Sequence, residues 1–171
     1  SFLRERSEGT LDRLLTTPVS RADIIFGYSL SFFVFALIQS TIILLFSISV
    51  LDIAYIGSLW QMFVVVIMLA IVAVNLGVFV STFAKNEFQV IQFIPLIMAP
   101  QIFLSGVIQP VEKLPSVLQN VSKILPLTYG IDSLRSIMIQ GFDLYALINE
   151  ILILFCFGCV FILLAAVSIK R

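Results

Sequence analysis

The charged residues of this chain are placed so that few folds remain open to it. Asp, Glu, Lys and Arg are absent from four long stretches: between Asp23 and Asp52, Asp52 and Lys85, Glu87 and Glu112, and Glu150 and Lys170. Each is rich in Ile, Leu, Val and Phe, as in Ile42-Ile43-Leu44-Leu45-Phe46 and Val64-Val65-Val66-Ile67-Met68. A surface helix of a soluble domain carries polar residues along one side; these stretches carry few. A helix needs roughly 20 apolar residues to cross the ~30 Å hydrocarbon core of a bilayer. An ionised side chain at the bilayer centre costs roughly 2.5–3.5 kcal/mol on insertion scales. The pattern predicts an all-α membrane protein with four transmembrane helices, about 24–51, 59–84, 88–109 and 147–169.

Composition removes several functions. The chain is 60% hydrophobic and 12% charged, against about 45–50% and about 25% for a soluble domain. Ten basic residues balance ten acidic ones, so neither the basic excess of a nucleic-acid binder nor the high net charge of a disordered chain is present. With no His and two Cys, no metal site and no catalytic residue is expected. A membrane-embedded enzyme would need a pair such as Lys113 or Lys123 beside a hydroxyl. Without an ionisable group in any span, a proton-coupled secondary transporter is disfavoured. Cys156-Phe157-Gly158-Cys159 lies inside the last span with no basic neighbour to lower a thiol pKa, and reads as a small packing face. No Gly is followed by Lys, so the G-x-x-x-x-G-K-[ST] phosphate loop cannot be drawn.

Basic residues set the orientation. Arg4, Arg6, Arg13, Arg21, Lys85, Lys170 and Arg171 share one side, and Lys113, Lys123 and Arg135 the other. The first side is therefore expected to be cytoplasmic, with both termini. Residues 1–23 form a cytoplasmic helix and linker, residues 24–171 a transmembrane domain, and 110–146 an outer segment. The opening Ser1-Phe2-Leu3-Arg4, without Met, reads as part of a longer or processed protein.

In 1–23, Leu11, Leu14 and Leu15 follow i, i+3, i+4 spacing and make one helical face. Gly9 or Thr10 can cap this helix, Asp12 suits its first turn, and Thr17-Pro18 ends it. Such a helix could lie on the membrane against lipid headgroups or dock on a cytoplasmic partner. In 110–146, Val117, Leu118, Val121, Ile124 and Leu125 repeat at helical spacing, as do Ile131, Leu134, Ile137 and Met138. Pro126 separates the two runs and Gly141 ends the second. Two short amphipathic helices dipping part-way into the bilayer, or a loop lying on its surface, both fit. Asp132 and Arg135, i and i+3, are placed to pair. Within the spans, Gln39, Asn75, Gln92 and Gln101 either pack helices together or line a pathway. Gly77 and Ser81 have the spacing of a close helix approach, and Pro95 and Pro100 should kink the third span or free carbonyls.

Two motifs carry a family resemblance. Arg4-Glu5-Arg6-Ser7-Glu8-Gly9-Thr10-Leu11-Asp12-Arg13-Leu14-Leu15-Thr16-Thr17-Pro18 resembles the E-R-x-x-G-T-L-x-x-L-L-x-T-P segment of type-2 ABC transporter permeases, the drug and polysaccharide exporter class. Phe103-Leu104-Ser105-Gly106, Pro110, Pro115, Leu125-Pro126-Leu127-Thr128-Tyr129 and Asp132-Ser133-Leu134-Arg135 resemble that family's F-L-S-G…P…P…P-L-T-Y…D-x-x-R pattern. The resemblance implies a permease subunit of an ATP-driven exporter in the plasma (inner) membrane, lacking the family's first two spans. Residues 4–18 would be the coupling helix that enters a separate ABC ATPase subunit. Glu5, Arg6, Glu8, Gly9, Thr10, Leu11, Arg13, Leu14 and Leu15 would make that contact. ATP and Mg would sit on the ATPase, with no cofactor on this chain. A second permease copy, identical or not, would complete the pathway within membrane lipid. The 110–146 segment would be a re-entrant hairpin at the exit, its outer gate formed by Leu104, Ser105, Gly106, Pro126, Tyr129, Asp132 and Arg135. An ATP-independent channel and a structural membrane subunit are the alternatives.

Overall fold

The computed structural model describes residues 21–84 and 86–168. All regular elements among them are helical. In chain order they are α1 (Arg21–Ser49), α2 (Leu59–Ser81) and α3 (Glu87–Leu104), a 3-10 turn (Val111–Lys113), α4 (Ser116–Ser122), α5 (Pro126–Arg135) continued by a π turn (Ser136–Gln140), and α6 (Ile148–Ser168).

Three segments, Phe26–Ser49, Leu59–Ser81 and Ile148–Ser168, are long and apolar enough to cross a membrane. Their surfaces agree with that role. Phe26, Leu30, Phe35, Ile38 and Ile42 on α1 are each more than half exposed. In water this surface would be strongly unfavourable; in hydrocarbon it needs no cover. The protein is an integral membrane protein.

α3 departs from the predicted span 88–109. Its 18 residues correspond to about 27 Å of helix. The Asn86 side chain accepts a hydrogen bond from the Gln89 N–H at 2.8 Å, which satisfies one of the donors left open at a helix start. The other end stops at Leu104 because Gly106 adopts φ +85°, a left-handed conformation that costs glycine little. Pro95 and Pro100 remain inside the helix, where their missing N–H groups leave the carbonyls of Ile91 and Leu96 without the usual donors.

α2 is the centre of the bundle. It packs most extensively on α6, then on α1 and α5. Met62, Val65, Ile137 and Leu147 form one buried cluster, bordered by Leu44, Ile48, Leu134, Met138 and Leu144. Val78 and Ala165 form a second, bordered by Phe32, Phe79, Ile162 and Ala166. Neither cluster includes a residue of α3, in which Gln101 alone is buried among the described side chains.

The close approaches fall elsewhere than expected. A Cβ on Gly77 would meet nothing within 4 Å, so the Gly77/Ser81 pair makes no close crossing among the described residues. The tight contacts are Gly130 on α5 against the Leu69 side chain, and Gly158 on α6, where a Cβ would lie 3.3 Å from Ile71 Cγ2. Cys156 and Cys159 are exposed and free. The packing residue of the C-x-x-C stretch is therefore Gly158, and the thiols face outward.

Candidate functional site

The stretch from Phe103 to Arg135 folds into one knot at the end of the bundle. Its construction begins with helix ends. The last carbonyls of a short helix lack intrahelical donors. At the end of α4 these are supplied by α5: Thr128 Oγ1 donates to the Ser122 carbonyl at 2.8 Å, and Tyr129 OH donates to the Lys123 carbonyl at 2.8 Å. The Ser122 and Thr128 hydroxyls also meet at 3.2 Å. Pro126 opens α5, where its missing N–H is no loss and its fixed φ suits a first turn. The P-L-T-Y sequence is thus a corner that ties the first turn of α5 to the end of α4. Gln119 braces the preceding turn by donating to the Leu114 carbonyl at 2.8 Å.

The F-L-S-G and D-x-x-R sequences meet at the same place. Arg135 donates through a guanidinium nitrogen to the Gly106 carbonyl at 2.7 Å. Around an ideal Cβ on Gly106, Arg135 Nη1 lies at 3.8 Å and Asp132 Oδ1 at 4.0 Å. Ser105 is fully buried beside them, and Leu104 half-buried. The expected Asp132–Arg135 pair is therefore an electrostatic neighbourhood, while the hydrogen bond of Arg135 goes to the end of α3. Partial burial pushes the Asp132 carboxyl above its ordinary value of 3.8; Arg135 opposes the shift, and Glu112 and Glu150 reinforce it.

Backbone bonds fix the position of this knot in the bundle. Ile56 N–H donates to the Met138 carbonyl at 2.9 Å and Gly57 N–H to the Ile137 carbonyl at 3.1 Å. The turn between α1 and α2 and the end of α5 therefore lie at the same end of the molecule. Gln61 reaches Asp143 there as well, Nε2 to Oδ1 at 2.8 Å.

The four amides of the spans divide into two kinds. Asn75 is buried and donates to the Gly158 carbonyl at 3.1 Å, so it joins α2 to α6. Gln101 is buried on α3. Gln39 and Gln92 are exposed on α1 and α3. Replacing Asn75 by leucine is expected to lower stability by about 1 kcal/mol, within the range of roughly 0.6–2 kcal/mol for interhelical hydrogen bonds in membranes. The loss is modest because the Gly158 carbonyl also lies in the backbone ladder of α6. Thermal unfolding in detergent measures it.

Comparison with known proteins names the scaffold. A family profile described as ABC-2 type transporter matches residues 1–139. The chain belongs to the ABC-2 type transporter family. It is 30% identical over 151 residues to the probable multidrug ABC transporter permease YbhR of Escherichia coli, covering 88% of this chain and 41% of that protein. It is 31% identical over 145 residues to ABC transporter G family member 20 of Dictyostelium discoideum, 85% of this chain and 20% of that protein. With the linearmycin resistance permease protein LnrN of Bacillus subtilis it shares 30% identity over 141 residues, 82% of this chain and 36% of the other. This ABC-2 chain spans less than half the length of these curated relatives. No solved structure matches it.

The matched region contains both motifs and the knot. The coupling residues Glu5, Arg6, Glu8, Gly9, Thr10, Leu11, Arg13, Leu14 and Leu15 lie outside the described residues. All seven outer residues named from the sequence are described, and Gly106, Pro126, Tyr129, Asp132 and Arg135 take part in the knot. Sequence reasoning missed Gly57, Ser122, Thr128 and Gly130 as members of this assembly. Gly130 carried a signal: a glycine inside a helix costs about 1 kcal/mol against alanine, so its presence asks for a steric reason.

Proposed function

We propose that the chain forms part of the translocation pathway of an ATP-driven exporter and works with a separate ABC ATPase subunit. Its membership of the ABC-2 family across residues 1–139 carries this reading. α3 serves as a fourth crossing, a reading supported by its apolar run to Leu104 and by the bond of its outer end to the knot. The distribution of basic residues supports a cytoplasmic side of the plasma (inner) membrane for 1–23 and Lys85, and an outer side for the knot. Residues 4–18 dock on the ATPase, which binds ATP and Mg. Leu11, Leu14 and Leu15 seat in its groove, and Glu5, Arg6, Glu8 and Arg13 form the charged rim that sets specificity.

The exposed Gln39 and Gln92 support a second permease copy. An amide facing hydrocarbon costs free energy unless it finds a partner, so these faces meet either the other copy or a polar pathway between the two. The outer hairpin dips into the bilayer as a re-entrant element, and 104–135 forms the exit gate. Relatives named for multidrug transport and linearmycin resistance make drug-like compounds the cargo class of choice.

The test is purification of the full-length tagged permease from its native membranes in mild detergent. The expected result is a stoichiometric subunit carrying a G-x-x-x-x-G-K-[ST] phosphate loop. A permease that purifies alone, and that passes a dye across vesicles without ATP, is a channel instead.

A further inference from the structure

We propose that Arg135 is a positioning residue, a latch that holds the outer end of α3 against α5, with the surrounding carboxylates of Asp132, Glu112 and Glu150 setting how firmly it closes. The proposal deepens the exporter reading, and rests on it only for the statement that this end of the bundle opens to release cargo.

The packing divides the bundle at the place where Arg135 reaches across. Both buried clusters are built from α1, α2, α6, the α5–π-turn segment and the residues just before α6. α5 is further tied to the α1–α2 turn by the Ile56 and Gly57 N–H groups. α3 contributes to neither cluster. At its outer end the helix has already stopped, and the Gly106 carbonyl points to Arg135 at 2.7 Å across 29 residues of sequence. α3 also packs on α4, α5 and α2, and at its outer end one charged donor adds a hydrogen bond between this lightly packed helix and the densely packed body.

The charges around this bond come from three further places. Asp132 lies on α5 itself, Glu112 on the 3-10 turn that follows α3, and Glu150 in the first turn of α6. α2 carries no charged residue. Arg135 is the cation that acts on the Asp132 carboxyl. Closing the latch brings Glu112, on the turn that follows α3, toward Asp132 and takes that carboxyl out of water, while Glu150 on α6 stays with the body. The closed form therefore holds the Asp132 proton more tightly than an opened form with that carboxyl in water, in keeping with its raised pKa. Linkage fixes the sign. Acid favours the closed latch, and the advantage is lost as pH rises from 3.8, the ordinary value, through the higher value of the closed form.

The test uses the full-length permease with its ATPase in nanodiscs, with Cys156→Ser and Cys159→Ser. Spin labels are placed at Val107→Cys and Ile139→Cys, both exposed sites. In the parent protein the distance distribution should be dominated by one short population that grows on acidification. Arg135→Leu should raise the open-to-closed ratio by about ten-fold or more, the scale of a lost charge-assisted hydrogen bond. Arg135→Lys should recover part of the closed population. Asp132→Asn, which removes the titration and keeps the fold, should stay closed at every pH. An unchanged distribution in a folded Arg135→Leu, or a full pH response persisting in Asp132→Asn, overturns the proposal. If the distances respond as stated but ATP never alters them and no ATP-driven transport is found, the latch stands and the exporter reading falls.

Discussion

Replacing Gly57 by alanine should destabilise the protein by about 2–5 kcal/mol, on the combined scale of overpacking and two lost hydrogen bonds. The added Cβ would collide with the Ile137 carbonyl oxygen and lie 2.6 Å from Ile137 Cγ2. Because the obstacle includes backbone, no rotamer change relieves it. The segment must move off the π turn, and the bonds from Ile56 and Gly57 to the Met138 and Ile137 carbonyls are lost with it. Gly130→Ala provides the contrast. There the nearest atoms to the Cβ are Cγ and both Cδ of the Leu69 side chain, which can turn away by a rotamer change. The expected loss is smaller, because alanine regains about 0.5–1 kcal/mol of helix propensity. Thermal unfolding midpoints in one detergent rank the two variants, with Gly57→Ala well below Gly130→Ala. A double variant Gly130→Ala/Leu69→Ala should show clear coupling in a mutant cycle. Equal midpoints for the two single variants would mean that the α1–α2 turn does not anchor α5.

Charge reversal in the coupling segment should abolish export without preventing insertion. In the proposed complex Arg13 and Glu8 face opposite charges on the ATPase. Reversing one member of a rim pair sets like charges against each other, which costs several kcal/mol, and each 1.4 kcal/mol is about ten-fold in affinity. Arg13→Glu or Glu8→Lys should therefore leave the permease at normal levels in the membrane while export falls more than about ten-fold. A compensating reversal on the ATPase should restore it. Export at the parent rate by either variant would move the docking surface elsewhere on the chain.

Much of the fold was legible because hydrocarbon imposes a simple code. α1 and α6 carry charge only in their first turns and α2 carries none, and their observed bounds lie close to the predicted ones. α3 was overextended because hydropathy continues through Val107 and Ile108, whereas the helix is ended by the left-handed backbone at Gly106. Hydropathy has no access to a dihedral angle. Gly77 and Ser81 showed the right spacing for a close crossing, but spacing does not say which face meets a neighbour. Gly130 and Gly158, single glycines opposite Leu69 and Ile71, hold that role. The outer motif residues were visible as a resemblance, yet their physical tasks were not. Arg135 suggested a local pair with Asp132, and its hydrogen bond goes instead to Gly106, distant in sequence. Thr128, named only as part of P-L-T-Y, closes the α4–α5 corner.

ATP hydrolysis by the separate ATPase subunit, in proteoliposomes with and without the full-length permease, bears most directly on the proposed function. The account predicts that the permease raises the hydrolysis rate several-fold and that Arg13→Glu returns it to the level of the ATPase alone. Identical rates with and without the parent permease, both proteins being folded and inserted, would contradict it.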